Sequence, residues 1–379
     1  MKDFTWSVSA NIRFGRGKAD TVGAEASKIG SKFLVVAGRS SAKSGLLDSI
    51  LGQLEGDNLE AVVFDKFAAN PLTTAVAEGA ALAREEDCNA VLAIGGGSQM
   101  DGAKGVALMA RTPGKVEDIM QHGFAGREYS ALPILAVPTT CGTGSESNGT
   151  AVLTDPATKD KLPIKSDRLI PRCAIVDPSL METMPKSVLG PVTFDALCHS
   201  MESFVSPGAS PVSEAISLEC LGMLSDNIVR ANDDIRDAEA LDAVTAAASA
   251  VGMAFYAGGL GAPHGLEHPL SGLRNIAHGR GLAALTPTVI RHSYTGAPER
   301  YAVISRSLGG KNEEDCATQV EMLLDRIGLS VYLSDEGFTE DDVPWLTANA
   351  FRVSKARLLG NPKPNTTEEE VSQIYRESM

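Results

Sequence analysis

The first half of this chain alternates short apolar runs with helix-like stretches, and that rhythm restricts the fold more than any other feature. Phe33 to Ala37, Ala61 to Phe64, Ala90 to Ile94, Ile134 to Val137 and Ala174 to Val176 are each bounded by Gly, Pro, Asp or Asn. Short bounded runs of this kind read as buried parallel strands. Leu72 to Glu86 and Asp101 to Ala110 read as helices between them, and a βαβα order implies a parallel sheet covered on both faces. From about Lys186 onward the pattern turns helical, over Phe194 to Val205, Pro211 to Asn227, Ala238 to Tyr256 and Glu313 to Ile327. Gly258-Gly259 is a C-cap signal for the third of these. Two prolines bracket Asp177 to Pro185 and mark a boundary. The expected architecture is α/β plus all-α, with a parallel-sheet unit in residues 1–184, a helical unit in residues 185–379 and a cleft between them.

A length of 379 residues accommodates about two to three domains. The formal charge of -14 argues against a sequence-independent grip on nucleic acid or on anionic lipid. No 18 apolar residues run together, so no membrane span is expected. The start, Met1-Lys2-Asp3-Phe4-Thr5-Trp6, lacks the cationic and apolar pattern of a secretory signal. Six scattered cysteines without a CxxC pair read as reduced thiols, which places the chain in the cytoplasm.

Two loops at expected strand ends carry ligand chemistry. Ile94-Gly95-Gly96-Gly97-Ser98-Gln99-Met100-Asp101 follows a strand and opens a helix. Its glycines let backbone approach a phosphate, and Ser98 is placed to cap a helix whose amides attract anions. Neither GxGxxG nor GxxxxGK[ST] is present, so neither a standard Rossmann fingerprint nor a P-loop is. Pro138-Thr139-Thr140-Cys141-Gly142-Thr143-Gly144-Ser145-Glu146 offers hydroxyl donors and two flexible glycines. Ligands of open α/β sheets sit at this carboxyl edge.

The helical half carries a second constellation. Asp195 and His199 are four residues apart and share a helix face, with Glu202 on the same face as a partner behind them. Three of the six histidines, His264, His268 and His278, fall within fifteen residues in a Gly/Pro-rich stretch. Together they supply nitrogen and oxygen donors without a thiolate, a set suited to Fe(II), Zn or Mn. Spacing leaves open which of His264 and His268 ligates, and Pro269 biases His268 away from helical geometry.

These motifs stand in the order seen in iron-containing (group III) alcohol dehydrogenases, which the chain resembles from its first strand to Asn361-Pro362. The resemblance implies a dehydroquinate synthase-like fold, a dinucleotide-binding α/β domain followed by a helical metal domain. It puts the metal on Asp195, His199, His264 and His278, with His268 unligated near the nicotinamide and active in proton transfer. It puts the cofactor phosphates on Gly96, Gly97 and Ser98, with Asp101 close by, and further cofactor contacts on Thr139, Thr140, Thr143, Lys161 and Asn70. It implies an NAD(P)-linked hydride transfer between nicotinamide and a small primary alcohol or aldehyde, on Fe(2+) with Zn or Mn as substitutes. A dication held by one carboxylate and neutral imidazoles favours deprotonation of a bound alcohol.

After the first strand, Gly38-Arg39-Ser40-Ser41 carries no carboxylate to repel a 2′-phosphate. Gly38 and Ser40 are therefore expected at the cofactor, and NADP is favoured over NAD. A homodimer is the default assembly. Alternatives are a glycerol or polyol dehydrogenase of the same fold, a lyase resembling dehydroquinate synthase and, from a different class, a non-enzymatic nucleotide or metal sensor. Phe255, Leu260 and Leu273 near the histidines are candidate apolar lining.

Overall fold

Six parallel strands form one sheet within Val8–Met184, the first of two units into which the contacts of the computed structural model divide the chain. Residues 3–126, 128–365 and 367–379 are described. The strands are β1 (Ile12–Phe14), β2 (Lys32–Ala37), β3 (Glu60–Phe64), β4 (Ala90–Gly95), β5 (Ile134–Pro138), β6 (Thr150–Asp155), β7 (Asp160–Lys165) and β8 (Cys173–Val176). Across the sheet the order is β1-β8-β5-β4-β2-β3, while β6 and β7 pair separately as an antiparallel hairpin. All five strands expected from apolar runs are present. The additions, β1 and the hairpin, carry too many polar residues to show as apolar runs.

Helices α1 (Val22–Ala26), α2 (Arg39–Lys43), α3 (Leu46–Gly56), α4 (Thr73–Glu85), α5 (Gly97–Met109) and α6 (Val116–His122) belong to the same unit. Alternate strand residues feed two cores. Leu34, Val36, Val91, Ala93, Ile134 and Ala136 pack with Val76 and Ala80 of α4 and with Ala103 and Val106 of α5. Phe33, Val35, Leu92, Ile94, Leu135 and Val137 pack with Ile50 and Leu54 of α3. A sheet covered on both faces requires this period-two division. Helix α5 starts earlier than expected, with Gly96 as its cap and Ser98 inside the first turn, so Ser98 is not the capping residue. Gln99 takes over that work, its Oε1 accepting from Gly96 N at 3.2 Å.

The second unit comprises residues 3–7 and Pro185–Met379. Its helices are α7 (Lys186–Val205), α8 (Pro211–Asp233), α9 (Ala238–Gly258), α10 (Ala262–Arg274), α11 (His278–Ser293), α12 (Pro298–Ser307), α13 (Cys316–Arg326), α14 (Val343–Val353), α15 (Lys355–Leu359) and α16 (Glu368–Glu377). Helices α7, α8 and α9 pack on one another. Leu266, Leu270, Leu285 and Val289 of α10 and α11 share a core with Leu346, Val371 and Tyr375. Among the described residues one helix, α9, is long and apolar enough to cross a membrane by length and composition; 61% of its most apolar window is buried inside the unit.

One expectation fails here. Helix α10 passes through Pro269, so His264 and His268 do lie one turn apart on a single helix. Proline removes one amide donor, but Ala262 to Ser271 are all buried, and that packing outweighs the local bias.

Candidate metal centre and nucleotide loops

In the first unit the ends of β2, β4 and β5 are tied together. Gly38 N donates to Ile94 O at 3.0 Å, and Thr139 N donates to Gly95 O at 2.8 Å. Gly95 adopts φ +149, where side chains are rarely tolerated, and a Cβ there would sit 2.7 Å from Gln99 Cγ. A Cβ on Gly96 would lie 3.2 Å from Thr140, and one on Gly97 would collide with Thr143. The glycine turn and the threonine loop therefore line one another, with α5 amides and threonine hydroxyls at the same sheet edge. Ser40 is exposed on α2, two residues after Gly38. Asn70 is buried with φ +52 beside Pro71, whose carbonyl accepts from Thr154 N at 2.9 Å. Lys161 is buried on β7, opposite Thr154.

Asp101 braces this edge from within. Its Oδ1 accepts from Ser145 Oγ at 2.6 Å and its Oδ2 from Val152 N at 2.9 Å. Beside it Lys104, 1% exposed, donates to Ser145 O, Ser145 Oγ and Thr150 O, each at 2.7 Å. Burial pushes the Lys104 ammonium down to about 8, partly offset by Asp101 and Glu146. Lys104 stands three residues beyond the glycine motif, and only the structure shows that it knits the threonine loop together.

In the second unit Asp195 and His199 on α7, His264 on α10 and His278 at the start of α11 converge. Asp195 Oδ1 lies 3.3 Å from His264 Nε2, 3.6 Å from His278 Nε2 and 3.7 Å from His199 Nε2. Asp195, His199 and His264 meet the spacing of a shared cation, and all three are buried. Asp195 Oδ1 and His264 Nε2 are buried without a hydrogen-bond partner among the described residues, a costly state in a dry interior. A cation among these four groups would satisfy both atoms, so the donor set fits the metal that the sequence pattern implies. Burial alone would raise the Asp195 pKa, but His199, His264 and His278 hold it well below the usual carboxylate range. Burial lowers His199 to about 4. His264 rises to about 9, because Glu202 and Asp195 outweigh its burial.

Carboxylates set the rings of two of these imidazoles. Glu202 Oε1 lies 2.6 Å from His264 Nδ1, and its Oε2 accepts from Gly261 N at 2.9 Å where α10 begins. Glu267 pairs with His278 Nδ1 and accepts from Ser271 Oγ, fully buried. A carboxylate behind a ligating imidazole fixes its tautomer and makes it more basic. Glu202 was legible at its helical spacing. Glu267 stands inside the histidine motif, but nothing in the spacing shows that it reaches forward to His278. Two glycines permit the arrangement: a Cβ on Gly279 would strike the Pro191 backbone, and one on Gly281 would lie 2.9 Å from Glu267 Cγ.

His268 is buried on α10, its ring centroid 6.1 Å from that of His278. Arg357 of α15 sits over it, with Nη1 2.9 Å from Nε2 and 3.1 Å from Nδ1. No sequence signal pointed to Arg357. Asn361 secures α10 from the same segment, its Oδ1 accepting from Ala262 N at 3.3 Å and its Nδ2 donating to Ser293 Oγ at 2.7 Å.

A parallel α/β unit followed by a helical unit that gathers one carboxylate and three imidazoles defines the class: a two-unit α/β-plus-helical protein with a candidate metal centre. Residues 9–178 match the family described as iron-containing alcohol dehydrogenase, and residues 192–379 match the C-terminal family of Fe-containing alcohol dehydrogenases. The chain is 31% identical over 374 residues to the NAD-dependent methanol dehydrogenase of Bacillus methanolicus, covering 96% of this chain and 97% of that one. It is 36% identical over 355 residues to the long-chain primary alcohol dehydrogenase of Thermoanaerobacter ethanolicus, covering 91% and 88%. An archaeal halo-thermophilic Red Sea brine pool alcohol dehydrogenase matches it in structure with a TM-score of 0.95, at 29% identity and with both chains fully covered. The chain belongs to the iron-containing alcohol dehydrogenase family and is an enzyme, an oxidoreductase of the alcohol dehydrogenase type. That membership sets aside the lyase and the sensor.

Proposed function

We propose that this enzyme moves a hydride between a nicotinamide cofactor and a small primary alcohol or aldehyde, with Fe(2+) held by Asp195, His199, His264 and His278. The observation that carries this reading is Asp195 Oδ1, buried, without a hydrogen-bond partner and 3.3–3.7 Å from three imidazole nitrogens. The ion supplies Lewis acidity that polarises a carbonyl or eases deprotonation of an alcohol. Glu202 and Glu267 hold His264 and His278 in the tautomer that leaves Nε2 free to ligate. His268 carries the proton to or from the substrate oxygen, with Arg357 holding its ring.

Gly96, Gly97 and Ser98, at the start of α5, take the cofactor's phosphates through backbone amides, and Thr139, Thr140 and Thr143 add hydroxyls. Asp101 acts from behind, through Ser145. Lys161, Asn70, Gly38 and Ser40 complete the cofactor contacts. The Bacillus methanolicus relative is named as NAD-dependent, which supports NAD(H). The turn Gly38-Arg39-Ser40 bears no carboxylate, which supports acceptance of NADP(H) as well. The working form is a homodimer in the cytoplasm.

The test is metal analysis of anaerobically purified protein, coupled to oxidation of NADH and NADPH against a panel of short aldehydes. One equivalent of iron and loss of both iron and turnover in His278→Ala are expected. Full turnover in metal-free His278→Ala protein overturns the reading.

A further inference from the structure

The three imidazoles around Asp195 are not held alike. Glu202 grips His264 and Glu267 grips His278, each at Nδ1. Nδ1 of His199 is buried and has no hydrogen-bond partner among the described residues. What this ring does have is stacking against two other rings. Phe255 of α9 stacks on it at 4.4 Å between centroids and 21° between planes, and His264 stacks on it at 4.5 Å and 20°.

We propose that Phe255 is the positioning residue of His199, and that its ring replaces the carboxylate anchor that the other two imidazoles have. The proposal rests on the reading of His199 as a metal ligand. An imidazole with no partner on its far nitrogen turns about its Cβ–Cγ bond unless packing stops it. Here two stacked rings oppose that turn, and His264 is itself fixed by Glu202. An imidazole without an anchoring carboxylate is also the poorer donor. His199 is therefore the most weakly held of the three imidazoles, and Phe255 sets how readily the site loses its ion. Phe255 is half-buried near the C-terminal end of α9, where the helix stops at Gly258 and Gly259 takes φ +86. The clamp is thus placed by a helix end and not by a hydrogen bond.

The test uses the full-length protein loaded with Co(II), whose visible ligand-field bands report on the ligand set and whose release to a chelator gives a rate. Phe255→Leu is expected to release Co(II) faster by on the order of tenfold and to shift the bands, as loss of an outer support does. Phe255→Tyr keeps a ring of the same outline and is expected to match the parent. Phe255→Met keeps the bulk without the ring and gives the same reading should the leucine variant fail to fold. Parental release from Phe255→Leu or Phe255→Met overturns the clamp, and so does a Phe255→Tyr variant as leaky as either. His199→Ala is read in parallel: unchanged bands there overturn the ligand assignment itself, whereas altered bands there with parental Phe255→Leu overturn the clamp alone.

Discussion

Gly279 lies against the backbone of Pro191, so close that an added Cβ would sit 2.6 Å from the Pro191 carbonyl carbon and 2.8 Å from its Cα. This contact brings the first turn of α11 onto α7, and with it His278 to within 3.6 Å of Asp195. A backbone neighbour cannot turn aside as a flexible side chain can. Gly279→Ala is expected to push α11 outward, cost about 1–3 kcal/mol of stability as overpacking does, and lower metal affinity. Denaturant unfolding and metal titration of the same preparation check it, and full metal affinity would show that the contact does not set His278.

The carboxylates behind the histidines give a second expectation. Glu202→Ala and Glu267→Ala should each weaken metal binding by about 10–100-fold, because His264 and His278 lose the partner that fixes tautomer and ring angle. Glu202→Ala also removes the acceptor at Gly261 N, so it should lower stability more than a ring anchor alone would. Competition with a fluorescent chelator separates the affinities.

Metal uptake should depend on pH with a definite sign. In the ion-free protein His264 is pushed up to about 9, burial being outweighed by Glu202 and Asp195. A proton on Nε2 competes with the ion, so affinity should rise with pH from neutrality to about 9 and level off above it. The slope is about tenfold per pH unit while a single proton is released. Proton release on metal addition, measured in weakly buffered solution, should vanish above that range.

Lys104 makes a stability prediction independent of the metal. Its folded-state pKa is about 8, against an ordinary 10.5. Between those values the unfolded chain binds more protons than the folded one, so this group makes stability rise with pH through that window. Lys104→Met removes that part of the slope. It should also cost about 1–3 kcal/mol by stranding the Ser145 and Thr150 carbonyls. Thermal unfolding of both proteins at pH 7 and pH 10 reads both effects.

The amino-acid sequence by itself determined the layered plan and the chemistry of the candidate donors. The apolar runs around Phe33, Val91 and Ile134, short and bounded by turn residues, read as buried strands, and the Asp195–His199 spacing puts two candidate donors on one helix face. Those are local facts, carried by periods of two and of 3.6 residues. Only the tertiary structure decided how the donors are held. Glu202 reaches His264 across 62 positions, and Arg357 reaches His268 across 89. Phe255 meets His199 because α9 packs on α7. The passage of α10 through Pro269 belongs with these, since burial of Ala262 to Ser271 overrides what the proline prefers locally. No period in the chain records such contacts. They arise where helix faces from distant segments are buried together, and that is set by the packing of the whole helical unit.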